Sequence, residues 1–86
     1  MGSPAQEVYL LRIRVLLRSE TVLLILRKLH RKPSWFAGQV GITPEYFYEM
    51  LAGRKNISEE MTKKIQGRLR GYDWDSLFVI KNLNEL

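Results

Sequence analysis

Few side chains in this sequence could carry out covalent chemistry. The 86 residues contain no cysteine and one histidine, His30, which lies in a basic segment with no carboxylate nearby in the sequence. A thiol nucleophile, a disulfide framework and a thiolate metal site are therefore excluded. No serine–histidine–aspartate set, nucleotide-binding loop or metal-ligand spacing is visible either. The sequence predicts a protein that is not an enzyme and that needs no cofactor or metal.

The chemistry that remains is electrostatic. A net charge of +5 favours a polyanionic partner. Residues 1–33 carry seven basic and two acidic side chains, residues 34–53 carry two acidic and no basic ones, and residues 54–72 carry six basic and two acidic ones. Arg54 and Lys55 open the second basic flank. The cluster that closes the first flank, Arg27 to Lys32, either binds phosphates or complements the dipole of a helix end.

The acidic segment between these flanks predicts two short helices joined by a tight turn. Ser34 is a candidate cap for the first helix, and Gly41 stands at the turn, because glycine adopts positive φ without steric cost. Thr43 then caps a second helix, with Pro44 in its first position and Gly53 at its end. Residues 34–53 therefore have the pattern of a helix-turn-helix motif, whose second helix often enters the DNA major groove.

The spacing of apolar side chains gives both motif helices an inner face. We expect the motif core to contain Phe36, Ala37, Gly41, Ile42, Phe47, Met50 and Leu51. The opposite side of the second helix carries Glu45, Tyr48 and Glu49. This acidic and aromatic side is a DNA-reading surface, a solvated helix face or a contact surface for a basic protein.

A further helix is predicted before the motif, from Val22 to Lys32. Ser19 or Thr21 caps its start, and Pro33 ends it. Residues 5–18 form an N-terminal extension that mediates self-association or caps the core. Their apolar positions fit a strand and a helical heptad seam equally well.

Two more segments are predicted after the motif. Ser58 is the candidate cap of a helix whose core stripe is formed by Ile57, Met61, Ile65 and Leu69. Asp73 caps a last segment whose tail, LFVIKNL, fits a helix or a strand. We therefore expect a mainly α domain of four or five helices over residues 19–86, preceded by the helical or β extension. Residues 1–4 resemble a cloning remnant.

These residues resemble the Cro and phage-repressor helix-turn-helix family, also called XRE-like or lambda-repressor-like. The likeness covers about residues 22 to 78. It is carried by Phe36-Ala37-x-x-x-Gly41-Ile42, then by Phe47, Met50 and Gly53, and by Gly53-Arg54-Lys55-Asn56-Ile57-Ser58, which is similar to the family's basic turn and next cap.

The resemblance implies a small sequence-specific transcriptional regulator, cytoplasmic and nucleoid-associated, from a phage or mobile element. Such a protein binds double-stranded operator DNA as a homodimer and needs no membrane or small-molecule ligand. The family's base-facing positions fall on Pro44, Glu45, Tyr48 and Glu49. Its phosphate-contacting positions fall on Thr43, Arg54, Lys55, Asn56 and Gln39.

The sequence departs from the family at the surface that would meet DNA. Pro33 stands where many members have a glutamine that contacts phosphate. Glu45 and Glu49 oppose the phosphate field, although a glutamate can accept a hydrogen bond from cytosine N4. The alternative is a protein-interaction module on the same scaffold, an anti-repressor or inhibitor that binds another regulator through Glu45, Tyr48 and Glu49.

Overall fold

The architecture is that of a helical domain with one small sheet. The structure is a computed structural model and describes residues 13–82. Its elements, in chain order, are β1 (Ile13–Leu17), α1 (Ser19–Lys28), α2 (Pro33–Val40), α3 (Pro44–Leu51), α4 (Glu59–Arg68), α5 (Trp74–Leu77) and β2 (Phe78–Asn82). Five helices and two short strands in the described residues confirm the predicted mainly α class.

The sheet joins the two ends of the described chain. β1 and β2 are antiparallel, with Val15 opposite Ile80 and Leu17 opposite Phe78. Leu17 and Phe78 are buried, so this end of the sheet belongs to the hydrophobic core. The strand alternative for residues 13–17 is therefore the observed one, and this part of the predicted extension packs with the domain. Residues 5–12 and 83–86 lie outside the described residues.

The core contains side chains from both strands, from every helix and from the loop before α4. Its buried apolar members are Leu17, Val22, Ile25, Leu26, Phe36, Ala37, Val40, Phe47, Met50, Ile57, Ile65, Leu69, Leu77 and Phe78. Met61, which the predicted stripe of α4 included, is only partly buried. The stripe omitted Thr62, which is buried and donates its hydroxyl to the Glu59 carbonyl at 2.6 Å. This local bond satisfies its polar group.

The start of α1 differs from the prediction. Arg18 precedes the first helical residue, and no side chain caps the helix. Ser19 instead donates its hydroxyl to the carbonyl of Leu51 at 2.6 Å, and Thr21 lies inside the helix. The prediction of a Ser19 or Thr21 cap was therefore wrong, because a contact distant in sequence occupies the serine hydroxyl.

The end of α1 also differs, because the helix stops before Pro33. His30 adopts a left-handed conformation with φ of 57°. Its N–H donates to the Arg27 carbonyl, and the Arg31 N–H donates to the Leu26 carbonyl. This bond pair is the Schellman motif that often ends helices. The prediction that Pro33 ends the helix was therefore wrong.

Side-chain caps start the last two helices, as predicted. The Ser58 hydroxyl accepts from the Met61 N–H at 3.1 Å, and the Asp73 carboxylate accepts from the Ser76 N–H at 3.0 Å. The Ser76 hydroxyl also donates to Asp73. These bonds, with the Ser76 hydroxyl first, lower the pKa of Asp73 below its ordinary value of 3.8. After α5, Phe78–Asn82 form β2, so the strand alternative is the observed one for the described part of the tail that follows the helix.

Candidate nucleic-acid interface

The helix α2 begins one residue earlier than predicted. Pro33 occupies its first position, and the preceding Lys32 makes no capping bond through its side chain. Ser34 is therefore a helical residue, and its predicted role as the cap was wrong. Proline suits this position because its fixed φ is helical and its missing N–H would have no partner there.

A three-residue turn, Gly41–Thr43, connects α2 to α3. Gly41 has φ of 79°, and the Ile42 N–H donates to the Ala37 carbonyl at 3.0 Å across the helix end. Thr43 then caps α3, since its hydroxyl oxygen accepts from the Tyr46 N–H at 3.1 Å. Local bonds therefore fix both sides of the turn.

Aromatic packing holds α3 against α2. The rings of Phe36 and Phe47 lie 5.5 Å apart between centroids and are tilted by 49°. Ala37 and Met50 are buried in the same core, and Ile42 and Leu51 are partly buried against it. Since Phe47 and Met50 point inward, the residues on the opposite side of α3 point toward solvent.

The outer face of α3, as we use the term, consists of Glu45, Tyr48 and Glu49. Tyr48 is 52% exposed, Glu45 is exposed and Glu49 is half-buried. Pro44, in the first helical position, is also half-buried. Tyr46, at the border of this face, is 41% exposed. The four residues predicted to face bases therefore belong to one short helix, and two of them are well exposed.

An ion pair reduces the negative charge of this face. Arg54 Nη1 lies 3.3 Å from Glu49 Oε1, and the two side chains are 70% and 40% exposed. Lys55 Nζ lies 5.8 Å from the centroid of the Tyr46 ring. Sequence reasoning missed the ion pair because it crosses a helix end. The only signal was Gly53, which takes φ of 77° and reverses the chain just before Arg54.

The remaining residues predicted to contact phosphate lie in different surroundings. Asn56 is exposed, but its Oδ1 accepts from the Val15 N–H at 2.8 Å. Thr43 is exposed beside its capping bond. Gln39 is half-buried and lines a groove between α2 and α4 to which no residue of α3 contributes. The structure thus brings Arg54 and Lys55 to α3 and leaves Gln39 on another surface.

A second cation–aromatic pair lies at the start of α2. The Arg31 guanidinium carbon is 4.7 Å from the centroid of the Trp35 ring, which is 37% exposed. Contacts of this kind contribute about 0.5–1 kcal/mol at exposed sites. Sequence reasoning missed this pair, although the four-residue spacing was a usable signal. It holds one cation of the basic cluster close to the helix-turn-helix segment.

Comparisons of the chain with models of protein families, with curated proteins and with solved structures found no match. None of the helices between residues 13 and 82 is long and apolar enough to cross a membrane. Within the same range, no group of three acidic or histidine side chains could hold a metal ion.

Proposed function

We propose that this protein is a small sequence-specific DNA-binding transcriptional regulator with a lambda-repressor-like helix-turn-helix fold. The observation that carries the proposal is the unit of α2, the Gly41 turn and the Thr43-capped α3, with the outer face of α3 open to solvent. In this function α3 lies in the major groove, and a dimer meets two operator half-sites about one helical turn apart.

The start of α3 offers donors to a phosphate. Pro44 has no N–H, and the Tyr46 N–H bonds to the Thr43 hydroxyl. The Glu45 N–H is therefore the first-turn donor left for a phosphate, which the helix dipole also favours. Thr43 adds an exposed hydroxyl at this position. From a helix placed in this way, Glu45 would accept a hydrogen bond from cytosine N4, and Tyr48 would contact a thymine methyl group.

The ion pair favours DNA binding by a helix that carries two glutamates. Arg54 offsets the charge of Glu49, and Lys55 lies near the same helix. The surface made by α3 and these two cations is therefore neutral, although α3 alone has a net charge of −2. A neutral surface avoids the strong repulsion that phosphates would exert on an isolated acidic helix.

Substitution of the two cations beside α3 tests this function. We expect Arg54→Ala with Lys55→Ala to weaken binding to random-sequence duplex DNA. The negative slope of log affinity against log salt should become shallower by about 1 to 2, since each phosphate contact contributes about −0.9 to it. The measurement is fluorescence anisotropy over a range of salt concentrations.

The matched control removes two exposed cations that lie opposite each other in β1 and β2, as Arg14→Ala with Lys81→Ala. This variant loses the same charge, and we expect it to keep most of the parent's salt slope. Equal losses in both variants would show that only net charge matters. A parent protein that does not bind duplex DNA at low salt would contradict the proposed function.

A second candidate function is binding to a basic surface of another regulator. It is favoured by the exposed Tyr46 and Tyr48, because tyrosine is common in protein interfaces, and by the absence of basic residues from α3. Replacing Glu45 and Glu49 together by glutamine separates the two functions. The change strengthens non-specific DNA binding if α3 faces DNA and abolishes partner binding if it faces a protein.

A further inference from the structure

A basic groove of about 620 Å³ lies between α2 and α4. Gly38 and Gln39 line it from α2, Lys63, Lys64 and Arg68 line it from α4, and Arg70 follows α4. Four of the nine lining residues are cations, and none is acidic. No residue of α3 and neither Arg54 nor Lys55 lines the groove, and of the phosphate contacts that the family resemblance implies it includes only Gln39.

A second depression of about 410 Å³ adjoins the groove. The two share Gly67, Arg68 and Arg70, and the second adds Lys28 from α1. Cations of α1 and of residues 63–70 therefore line two adjoining depressions, which together we call the α4 groove. Like charges gathered in this way repel one another, and a polyanion would relieve that repulsion.

The cations of the α4 groove are available to a ligand. Lys63 and Lys64 pair with the glutamates one turn before them at N–O distances of 3.6 and 3.7 Å, and all four side chains are more than half exposed. Exposed pairs of this kind contribute about 0–1 kcal/mol, so an anion displaces them readily. Arg68 and Arg70 make no ion pair with another residue of the described range 13–82.

The shape of the α4 groove favours an extended ligand over a small ion. Its cationic side chains are exposed, and Lys64 and Arg68 lie one turn apart along α4, about 6 Å by helix geometry. The backbone is open, since a Cβ at Gly38 or Gly67 would meet no heavy atom within 4 Å. A row of exposed cations along an open groove suits a linear chain of negative charges.

We propose that the α4 groove binds the phosphate backbone of duplex DNA, as a contact surface in addition to α3. Lys64, Arg68 and Arg70 donate to successive phosphates, and Gln39 adds a neutral donor from the opposite wall. This use of the groove rests on the proposed function, since both require a DNA partner. The two surfaces share no residue, so they can fail separately.

Nuclear magnetic resonance mapping on the whole chain tests both surfaces in one titration. The probe is a short random-sequence DNA duplex at low salt, and the readout is the chemical shift of each backbone amide. We expect shifts at Gly38, Gln39 and Gly67 as well as in α3. Shifts in α3 alone would overturn the groove and leave the proposed function intact. Shifts in the groove alone would support the groove and overturn the docking of α3, and no shifts would overturn both.

A pair of matched variants tests the contribution of the arginines. We expect Arg68→Gln with Arg70→Gln to remove the chemical-shift changes at Gly38, Gln39 and Gly67. The negative slope of log affinity against log salt should become shallower by about 1 to 2. The control, Arg14→Gln with Lys81→Gln, removes the same charge from two exposed positions that lie opposite each other in β1 and β2. An equal loss of slope in the control would overturn the groove as a distinct site.

Discussion

At the scale of single residues, the charge that α3 presents depends on one ion pair. Glu49 has Arg54 at 3.3 Å, whereas Glu45 makes no ion pair within the described part of the chain. Substitution of the two glutamates therefore has different electrostatic consequences. Loss of Glu49 removes a negative charge and also frees a cation, whereas loss of Glu45 removes only the charge.

We predict that Glu49→Gln raises affinity for random duplex DNA more than Glu45→Gln does. The difference is at most about five-fold, because an exposed pair is worth about 0–1 kcal/mol and that free energy no longer holds Arg54 away from phosphate. Anisotropy titrations at one salt concentration measure it, with each variant serving as the other's control. Equal gains would mean that Arg54 is not held back by Glu49.

A second residue-scale prediction concerns His30, which ends α1 at φ of 57°. Glycine takes this conformation without the Cβ penalty, so we expect His30→Gly to raise the free energy of unfolding by about 0.5–1 kcal/mol. His30→Ala keeps the strain and should give no gain. Urea denaturation measures both variants. A less stable glycine variant would show that the imidazole makes a contact that outweighs the strain.

At the scale of elements, β1 is held on both of its edges. One edge pairs with β2, and on the other edge Val15 donates to Asn56 Oδ1 and accepts from the Ile57 N–H. Asn56 was predicted to contact phosphate, and that role stays a prediction. Its observed bond shows that it also fastens the loop before α4 to the sheet.

Two substitutions separate these roles of Asn56. Asn56→Ala removes the acceptor, and we expect the free energy of unfolding to fall by about 1 kcal/mol. Asn56→Asp keeps an acceptor and adds a negative charge, so the stability should hold while DNA binding weakens if the loop follows the phosphate backbone. Denaturation and anisotropy together measure the two effects. An alanine variant as stable as the parent would contradict the structural role.

Elements that are fixed by bonds between residues close in sequence could be predicted, and elements that are fixed by bonds between distant residues could not. The caps at Thr43, Ser58 and Asp73 were predictable because each bonds to an N–H three residues ahead. The start of α1 was not, because the Ser19 hydroxyl bonds to Leu51. The strand in β1 was one of two open readings, because its pairing with β2 joins opposite ends of the described chain.

In the candidate site, too, the local features were predicted and the features that join distant residues were not. The spacing of Phe36, Ala37, Gly41 and Phe47 predicted the packed turn, because local geometry and one ring contact define it. The Glu49–Arg54 pair was not predicted, because it depends on how the chain reverses after α3. The α4 groove could not be found by inspection either, since it combines residues from three separate segments.

At the scale of the whole molecule, basic segments flank in sequence a helix that carries no basic residue. Cations occur on α1, in the loop after α3 and on α4, whereas α3 carries only glutamates as charged residues. In the proposed function the cations supply sequence-independent affinity, and the outer face of α3 supplies discrimination between bases. The two contributions are separable, because the first depends steeply on salt and the second depends on base sequence.

The measurement that tests base reading most directly is the ratio of affinities for a selected and a scrambled duplex. Binding sites are selected from a random duplex pool, and both affinities are then measured at physiological salt. Regulators of this class discriminate by about 10³ or more, so we predict a ratio of at least about 10³ that falls sharply in a variant with Glu45→Ala and Tyr48→Ala. A ratio close to one, unchanged by these substitutions, would contradict the placement of α3 in the major groove.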